Sequence, residues 1–188
     1  MEVIFEKLRQ ANINYDNVEK VCKEIFAGTS YKYSVGSTKV VIFDEEFTTV
    51  YKYSYGKVAR SESSIYAEAC ANGVGVFFCP ISPLSKDVEI QNPVSETLRD
   101  FVIRSEEKIQ YGKFRRFFYE LGFEPFLTRS DCVVLYWLLK NHSIDEVLKL
   151  QDFIMENDLT DLMYYNAGFY NGRVVFFDFA GTDPQLMD

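Results

Sequence analysis

Apolar residues at helical spacing open the chain and then give way to a strand pattern. Within residues 1–26 they recur every three to four positions, and Gly28 ends the run. From residue 31 onward β-branched and aromatic residues dominate, in KVVIF (39–43) and TTVYKYSY (48–55), with an acidic turn between them. These patterns predict a helical segment followed by a β-hairpin or meander.

Two further patterns complete the first half of the chain. Good helix formers at residues 60–72, with Gly73 just past their end, predict a helix. The apolar runs VGVFFCPI (74–81) and DVEIQNPV (87–94) predict two short strands, and Pro93 ends the second. The first half is therefore predicted to be a small sheet with one inserted helix.

The pattern after Ser95 is mostly helical. Amphipathic runs predict helices in SETLRDFVIRSEEK, GKFRRFFYEL, SDCVVLYWLLKNH and SIDEVLKLQDFIMEN. The pair Asn171-Gly172 then separates AGFY (167–170) from RVVFFDF (173–179), and an Asn-Gly pair between apolar runs is the strongest short-range signal of a hairpin. Together the two halves predict an α+β protein.

Composition and charge narrow the functional classes. A length of 188 residues is that of one domain, or of one domain split into two lobes. The 13 Tyr and 17 Phe residues beside one Trp favour an aromatic interior that contains strands. A formal net charge of -8 disfavours direct nucleic-acid binding and suits a basic or neutral partner. Four scattered Cys and one His do not match the spacing of a zinc site.

The sequence also gives an expectation for the compartment. It has no basic and apolar leader, and no apolar run approaches the roughly twenty residues of a membrane span. We therefore expect a protein without membrane association in the cytoplasm.

Three oxygen-bearing side chains lie in a characteristic order between residues 161 and 181. Asp161 opens DLMYYN, Asn166 closes it, and Asp178 opens DFAG after the predicted hairpin. Carboxylate and amide oxygens suit Mg²⁺ bound to a nucleotide, because this hard cation prefers oxygen ligands and keeps waters and phosphates as the others.

These motifs resemble those of the protein-kinase-like superfamily, which includes aminoglycoside phosphotransferases and small kinase-like proteins of phages and mobile elements. DLMYYN is similar to the catalytic loop D-L-x-x-x-N, and DFAG is similar to D-F-G. The resemblance implies that Asp161 takes the proton of the acceptor hydroxyl. It also implies that Asn166 and Asp178 ligate Mg²⁺ on the phosphates of ATP.

The same resemblance assigns residues of the first half. VGSTKVVIF (35–43) resembles a shortened phosphate-covering hairpin, and TVYK (49–52) resembles the V-A-I-K strand, so Lys52 is the expected phosphate-binding lysine. Its expected helix partner is Glu62, with Glu68 as the competing choice.

The adenine contacts follow from strand alternation and order along the chain. Val50 shares a face with Lys52 and is expected to cover the adenine together with Val40 or Val41. The segment VEIQNPV (88–94) is the expected hinge strand, whose backbone from Gln91 to Pro93 would bind the adenine edge.

The resemblance implies a minimal bilobal fold in one kinase-like domain. Its parts are a helical preface (1–30), a small antiparallel N-lobe with one helix (31–94) and a reduced, mainly helical C-lobe that ends in a β-hairpin (95–188).

Three functions are consistent with the resemblance. The first is an ATP- and Mg-dependent phosphotransferase, a minimal protein Ser/Thr kinase of phage or mobile-element type. The alternative is a pseudokinase or interaction module that binds a host protein, and a small-molecule phosphotransferase is the third. Gly28 and Gly36 do not form G-x-G-x-x-G, and only TDPQLMD follows DFAG, so nucleotide binding is a firmer expectation than phosphoryl transfer.

Overall fold

The computed structural model describes residues 1–56, 60–105, 111–124 and 132–179, which form seven α-helices and seven β-strands. The helices are α1 (Glu2–Gln10), α2 (Val18–Ile25), α3 (Glu62–Ala71), α4 (Leu98–Arg104), α5 (Tyr111–Glu120), α6 (Cys132–Leu138) and α7 (Ile144–Glu156). The strands are β1 (Lys32–Val35), β2 (Lys39–Phe43), β3 (Val50–Ser54), β4 (Ile81–Pro83), β5 (Val88–Gln91), β6 (Ala167–Tyr170) and β7 (Arg173–Phe176). The predicted α+β class is confirmed.

The chain divides into two compact units. Among the described residues, the first unit contains 1–56, 60–63 and 81–93, and the second contains 64–80, 94–105, 111–124 and 132–179. No helix in the described part of the chain has both the length and the apolar character that a membrane span requires.

The first unit is built on a five-stranded antiparallel sheet in the order β1-β2-β3-β5-β4. Side chains alternate between the two faces of each strand, so one face can carry apolar residues while the other carries polar ones. The apolar face packs against α1 and α2 and buries a core of Ile4, Phe5, Leu8, Val18, Cys22, Phe26, Val40, Ile42, Tyr53 and Val88. The predicted strands at 39–43 and 48–55 are confirmed as β2 and β3.

The predicted helical run over residues 1–26 is divided into α1 and α2. Between them, Asn12 adopts a positive φ of 47°, and the side chain of Asn14 accepts hydrogen bonds from the backbone N–H groups of Asp16 and Asn17. Asparagine competes with the helix in this way, because its side chain offers the backbone a local alternative partner.

The second unit contains the predicted hairpin. Strands β6 and β7 pair in the register Tyr170 to Arg173, and the turn residues Asn171 and Gly172 have φ values of 49° and 77°. Two positive φ angles are what the tight turn favoured in hairpins requires, so the Asn-Gly prediction is confirmed.

The four helices predicted after Ser95 match α4 to α7 in position. Helix α7 begins with a capping box, in which Ser143 accepts from the Glu146 N–H and Glu146 accepts from the Ser143 N–H. The second unit is thus mainly helical around one small hairpin.

The strand predicted over residues 74–81 is wrong. Residues Gly75–Phe77 form a 3-10 turn, and only Ile81 belongs to a strand, β4. A Cβ atom on Gly75 would lie 2.5 Å from the Cys70 Sγ, so the chain turns closely against the end of α3 instead of extending. This tertiary contact overrides the β propensity of the Val and Phe residues.

Candidate functional site

Four charged side chains form a buried cluster on the polar face of the five-stranded sheet. Val41 faces Lys52 across β2 and β3, and Lys52 faces Glu89 across β3 and β5, while Lys39 lies two residues before Val41 and therefore on the same face. The exposed fractions are 7% for Lys39, 3% for Lys52, 0% for Glu62 and 5% for Glu89. We call these four residues the charge cluster.

Glu62 is the centre of the charge cluster. One of its carboxylate oxygens, Oε2, accepts a hydrogen bond from the Lys52 Nζ at 2.6 Å, and the other, Oε1, accepts one from the Lys39 Nζ. Glu62 is also the first residue of α3, where the N-terminal end of the helix dipole favours a negative charge. A single carboxylate therefore holds two ammonium groups.

Glu89 contributes a second carboxylate that is only half satisfied. Its Oε1 accepts the backbone N–H of Ser63 at 2.7 Å, and its Oε2 lies 3.7 Å from the Lys39 Nζ. That distance is an ion pair but too long for a hydrogen bond, and in the described part of the chain Glu89 Oε2 is buried without a hydrogen-bond partner.

The lysines keep Glu62 ionised despite its burial. Burial acts to raise the pKa of this carboxyl, but the charges of Lys52 and Lys39 and the hydrogen bonds from their ammonium groups together lower it below its ordinary value of 4.5. Glu62 is therefore a carboxylate at neutral pH.

We expect the ionisation of Glu62 to make the free energy of unfolding depend on pH. Because the pKa of Glu62 is lower in the folded protein, its contribution to the free energy of unfolding is complete above about pH 5 and is lost as the pH falls through the folded-state pKa. Urea unfolding of the wild type and Glu62→Gln from about pH 7 to about pH 3.5 should show a stability difference that narrows on acidification. A difference that stays constant over this range would contradict the assigned pKa direction, and Glu68→Gln serves as the exposed control from the same helix.

The structure decides between the two candidate partners of Lys52. Glu62 is fully buried and bonded to Lys52, whereas Glu68 is exposed on α3. Along the chain, the hairpin β1–β2 is followed by Lys52 on β3, Glu62 on α3 and then the strand β5.

Of the two valines considered as partners of Val50, the structure places Val41 and not Val40 on the face of Lys52. Val40 pairs with Tyr53 and is buried in the core against α1 and α2. Val41 pairs with Lys52, and Val50 is two residues before Lys52. The assignment of Val40 is therefore corrected to Val41, because adjacent residues of a strand face opposite sides of the sheet.

The segment that was expected to be the hinge begins at the end of β5. Gln91 is buried and pairs with Val50 on one side and Ile81 on the other, so its backbone lies within the sheet. Asn92 is the first residue beyond the paired register, and Pro93, which has no N–H group, follows it.

In the second unit, Asn166 is anchored to the segment that begins at Asp161. The Asn166 Nδ2 donates to the Asp161 carbonyl oxygen at 3.1 Å, and Asn166 is buried while Asp161 is partly exposed. Because a carbonyl accepts only from the NH₂ end of an amide, this bond fixes the orientation of the side chain and turns its Oδ1 away from the Asp161 carbonyl. That oxygen is the atom that would ligate a metal ion.

Asp178 is connected to Asn166 through the neighbouring backbone. The Phe177 N–H donates to the Asn166 carbonyl oxygen at 2.9 Å, which holds the residue before Asp178 against the end of the Asp161–Asn166 segment. Phe179, the residue after it, is buried with its ring centroid 4.8 Å from that of Phe78. The last two residues of DFAG lie outside the described residues.

The donor set of the second unit fits the oxygen chemistry of magnesium. In the described ranges no group of three or more His, Cys, Asp or Glu side chains is placed to hold a metal ion. The predicted ligands are one carboxylate and one carboxamide, Asp178 and Asn166, and Mg²⁺ usually takes its other ligands from phosphates and waters. The fixed orientation of the Asn166 amide agrees with this role.

Two residues of the charge cluster, Lys39 and Glu89, were missed by sequence reasoning. Their signal is the alternation of polar and apolar residues, as in Val88-Glu89-Ile90-Gln91, which marks one face of β5 as polar. Recognising that Lys39 shares this face needs the register of β2 with β3, which the sequence does not provide.

Comparison with known proteins adds no family assignment. No protein-family model matches this chain, and a search of curated proteins found no match.

Proposed function

We propose that this chain is a minimal ATP- and Mg-dependent phosphotransferase of the protein-kinase-like type that acts on a Ser or Thr hydroxyl of a protein. The single observation that carries the proposal is the buried ion pair between Lys52 on the third strand and Glu62 on the following helix, with 2.6 Å between Nζ and Oε2. A strand lysine held by a helix glutamate is the arrangement that positions the phosphates of ATP in protein kinases.

The charge cluster supports a role in holding polyphosphate. Burying two lysines and two glutamates is costly, and replacing such groups with apolar residues is often neutral or stabilising. A buried lysine that is held in place by a glutamate is, in contrast, a suitable positive point charge for binding phosphate oxygens. In the proposal Lys52 binds the phosphates and Glu62 keeps it in position.

The second unit supplies the groups for transfer. The acceptor hydroxyl oxygen attacks the γ-phosphorus, the bond from that phosphorus to the β–γ bridging oxygen breaks, and ADP leaves with the electron pair. Asp161 would accept the hydroxyl proton, and Asn166 and Asp178 would hold the magnesium. When bound, Mg²⁺ neutralises the charge that develops on the phosphate oxygens.

The adenine would lie against the apolar residues on the Lys52 face, Val41 and Val50. Val41 lies opposite Lys52 on the adjacent strand β2, and Val50 lies on the same strand as Lys52. The backbone from Gln91 to Pro93 would supply the polar edge contacts. A host protein as acceptor agrees with the net charge of -8, which favours a basic or neutral partner.

A second candidate function, a pseudokinase that binds a host protein with little or no transfer, is favoured by one observation. The turn between β1 and β2 spans only residues 36–38, and its backbone groups are engaged within the unit. Gly36 donates to the Lys39 carbonyl at 2.8 Å, the Tyr55 hydroxyl donates to the Gly36 carbonyl at 2.5 Å, and the Thr38 carbonyl accepts from Tyr55 and Gly56. So short a turn offers few amides to cover phosphates.

Thermal unfolding with and without Mg-ATP tests the proposal, followed by transfer of labelled phosphate to the protein itself or to lysate proteins. A ligand at a hundred times its Kd stabilises a protein by about 2.7 kcal/mol, which raises the melting temperature by several degrees. Stabilisation with transfer supports the kinase, and stabilisation without transfer supports the pseudokinase. A melting temperature that does not respond to Mg-ATP would contradict the kinase and leave only an interaction module that binds no nucleotide. Transfer to metabolites but not to proteins would indicate a small-molecule enzyme.

A further inference from the structure

We propose that the β1 edge of the five-stranded sheet binds an extended basic segment of a partner protein. The segment adds to β1 as an antiparallel sixth strand and places a Lys or Arg side chain in an acidic cleft between β1 and the start of α2. Edge and cleft both belong to the first unit. The inference goes beyond the proposed phosphate transfer, because it requires no nucleotide.

The two edges of the sheet differ in their capacity to pair with another strand. Among the described residues, the order β1-β2-β3-β5-β4 leaves β1 and β4 with one neighbour each. Strand β4 has three residues and includes Pro83, which has no N–H group to donate. Strand β1, with four residues and no proline, is therefore the edge that can accept an added strand.

The register shows which backbone groups of β1 point outward. The Gly36 N–H donates to the Lys39 carbonyl at 2.8 Å, so these two residues form a hydrogen-bonded pair, and such pairs alternate with non-hydrogen-bonded ones along an antiparallel ladder. Counted back along the register, Tyr33 and Val35 fall in non-hydrogen-bonded pairs. Their N–H and C=O groups therefore point away from β2, toward the open edge.

The cleft beside β1 combines exposed acids with apolar side chains. Its volume is about 450 Å³, and Asp16, Val18, Glu19 and Val35 are among its lining residues. Val18 is buried and Val35 is half-buried, whereas both acids are exposed. Within the described residues neither carboxylate has an ion-pair or hydrogen-bond partner. The cleft therefore suits a side chain with an apolar stem and a positive end.

Val35 connects the open edge with the cleft. It lines the cleft and packs against the core between the sheet and helices α1 and α2. In an antiparallel pair, residues directly opposite each other have side chains on the same face. The residue of an added strand opposite Val35 would thus direct its side chain to the cleft. A Lys or Arg there would pack its stem against Val18 and Val35 and keep its charge near Asp16 and Glu19.

A basic partner fits this cleft better than a second copy of the chain does. Because only Tyr33 and Val35 direct backbone groups outward, one of these two residues would lie opposite Val35 in a pair of β1 strands. Neither carries a positive charge. Lys32, the cation of β1, lies on the other face, with its Nζ 4.8 Å from the centroid of the Phe47 ring. The net charge of -8 also opposes self-association.

Fluorescence anisotropy with a labelled peptide tests the inference at about 0.15 M salt and without nucleotide. The peptide has about eight residues in which Lys and Thr alternate, so all its Lys side chains lie on one face of an extended strand. Two derivatives of equal charge carry N-methyl groups on the Lys or on the Thr residues. In the proposed pairing the N–H groups of the Lys residues point to β1. We expect methylation at Lys to weaken binding at least roughly tenfold, and methylation at Thr to leave it within about twofold.

Asp16→Asn/Glu19→Gln tests the cleft from the side of the protein. Loss of the two carboxylates should weaken binding of the unmethylated peptide roughly tenfold. Glu45→Gln/Glu46→Gln is the matched control, because it removes the same charge from exposed positions of the same unit outside the cleft. It should bind the peptide within about twofold of the wild type. All four positions are exposed, so we expect both variants to fold normally.

The outcomes that overturn the inference are distinct. A wild type that does not bind the unmethylated peptide would refute it directly. Equal affinity for the two methylated peptides would exclude strand addition, and an equal loss in the two protein variants would attribute binding to net charge alone. A dimer in sedimentation velocity that the peptide dissociates would assign the edge to a second copy instead. Stabilisation by Mg-ATP is measured separately, so either proposal can fail while the other stands.

Discussion

Asp178→Asn is expected to abolish Mg-dependent ATP binding and to lower phosphoryl transfer by at least roughly a hundredfold, since the metal supplies several kcal/mol of charge stabilisation. The amide keeps the size of the carboxylate but removes the charge that holds the cation. Because Asp178 is partly exposed at the end of β7, we expect the melting temperature without nucleotide to stay close to that of the wild type. Melting with Mg-ATP and labelled-phosphate transfer are the two measurements.

Asp161→Ala separates metal binding from proton transfer. A general base contributes about a hundredfold to ten-thousandfold to rate, so transfer should fall by that factor while stabilisation by Mg-ATP is retained. The Asn166 side chain bonds the backbone carbonyl of Asp161, not its carboxylate, so the substitution leaves that anchor in place. Asp152→Asn, at an exposed position on α7, is the matched control and should retain both properties.

Two outcomes would contradict this assignment. Mg-ATP stabilisation that survives Asp178→Asn would exclude Asp178 as the metal ligand. Transfer that survives Asp161→Ala would exclude Asp161 as the base, even if the chain is a kinase by another arrangement.

The sequence predicts the elements of this fold well where a strong local signal coincides with the final structure. The Asn171-Gly172 turn and the start of α7 at Ser143 are set by side chains acting within a few residues, and both agree with the prediction. Residues 74–81 differ because their conformation is determined by the approach of Gly75 to Cys70, which depends on the packing of the preceding helix. Such contacts produce no hydrophobic periodicity in the sequence.

The residues of the candidate site also differ in whether the sequence predicts them. The resemblance to the kinase-like family assigns Lys52 and Glu62 to each other, and the hydrogen bond between their side chains is present. Lys39 and Glu89 lie far from that pair in sequence and join it only through the register of β2, β3 and β5. The same register moves the expected apolar contact from Val40 to Val41, because a shift of one residue exchanges the two faces of a strand.

Removing the carboxylate that joins the two lysines is expected to have the largest effect on stability. Glu62→Ala leaves Lys39 and Lys52 buried without their shared partner, and breaking a buried ion pair from one side costs about 3–5 kcal/mol. Urea unfolding at neutral pH followed by circular dichroism measures this change. Glu68→Ala, exposed on the same helix, should change the free energy of unfolding by no more than about 0.5 kcal/mol.

A quadruple variant distinguishes stranded charge from lost packing as the cause. In Lys39→Met/Lys52→Met/Glu62→Leu/Glu89→Gln all four charges of the cluster are replaced by neutral groups of similar size, and the amide oxygen at position 89 can still accept the Ser63 N–H. Most of the lost stability should therefore return, as it does when buried ion pairs elsewhere are replaced by well-packed apolar residues. The same variant should have lost ATP binding, because the proposed phosphate contact of Lys52 is gone. A quadruple variant as unstable as Glu62→Ala would instead attribute the destabilisation to altered packing. Recovered stability together with unchanged ATP affinity would show that the cluster serves the fold alone.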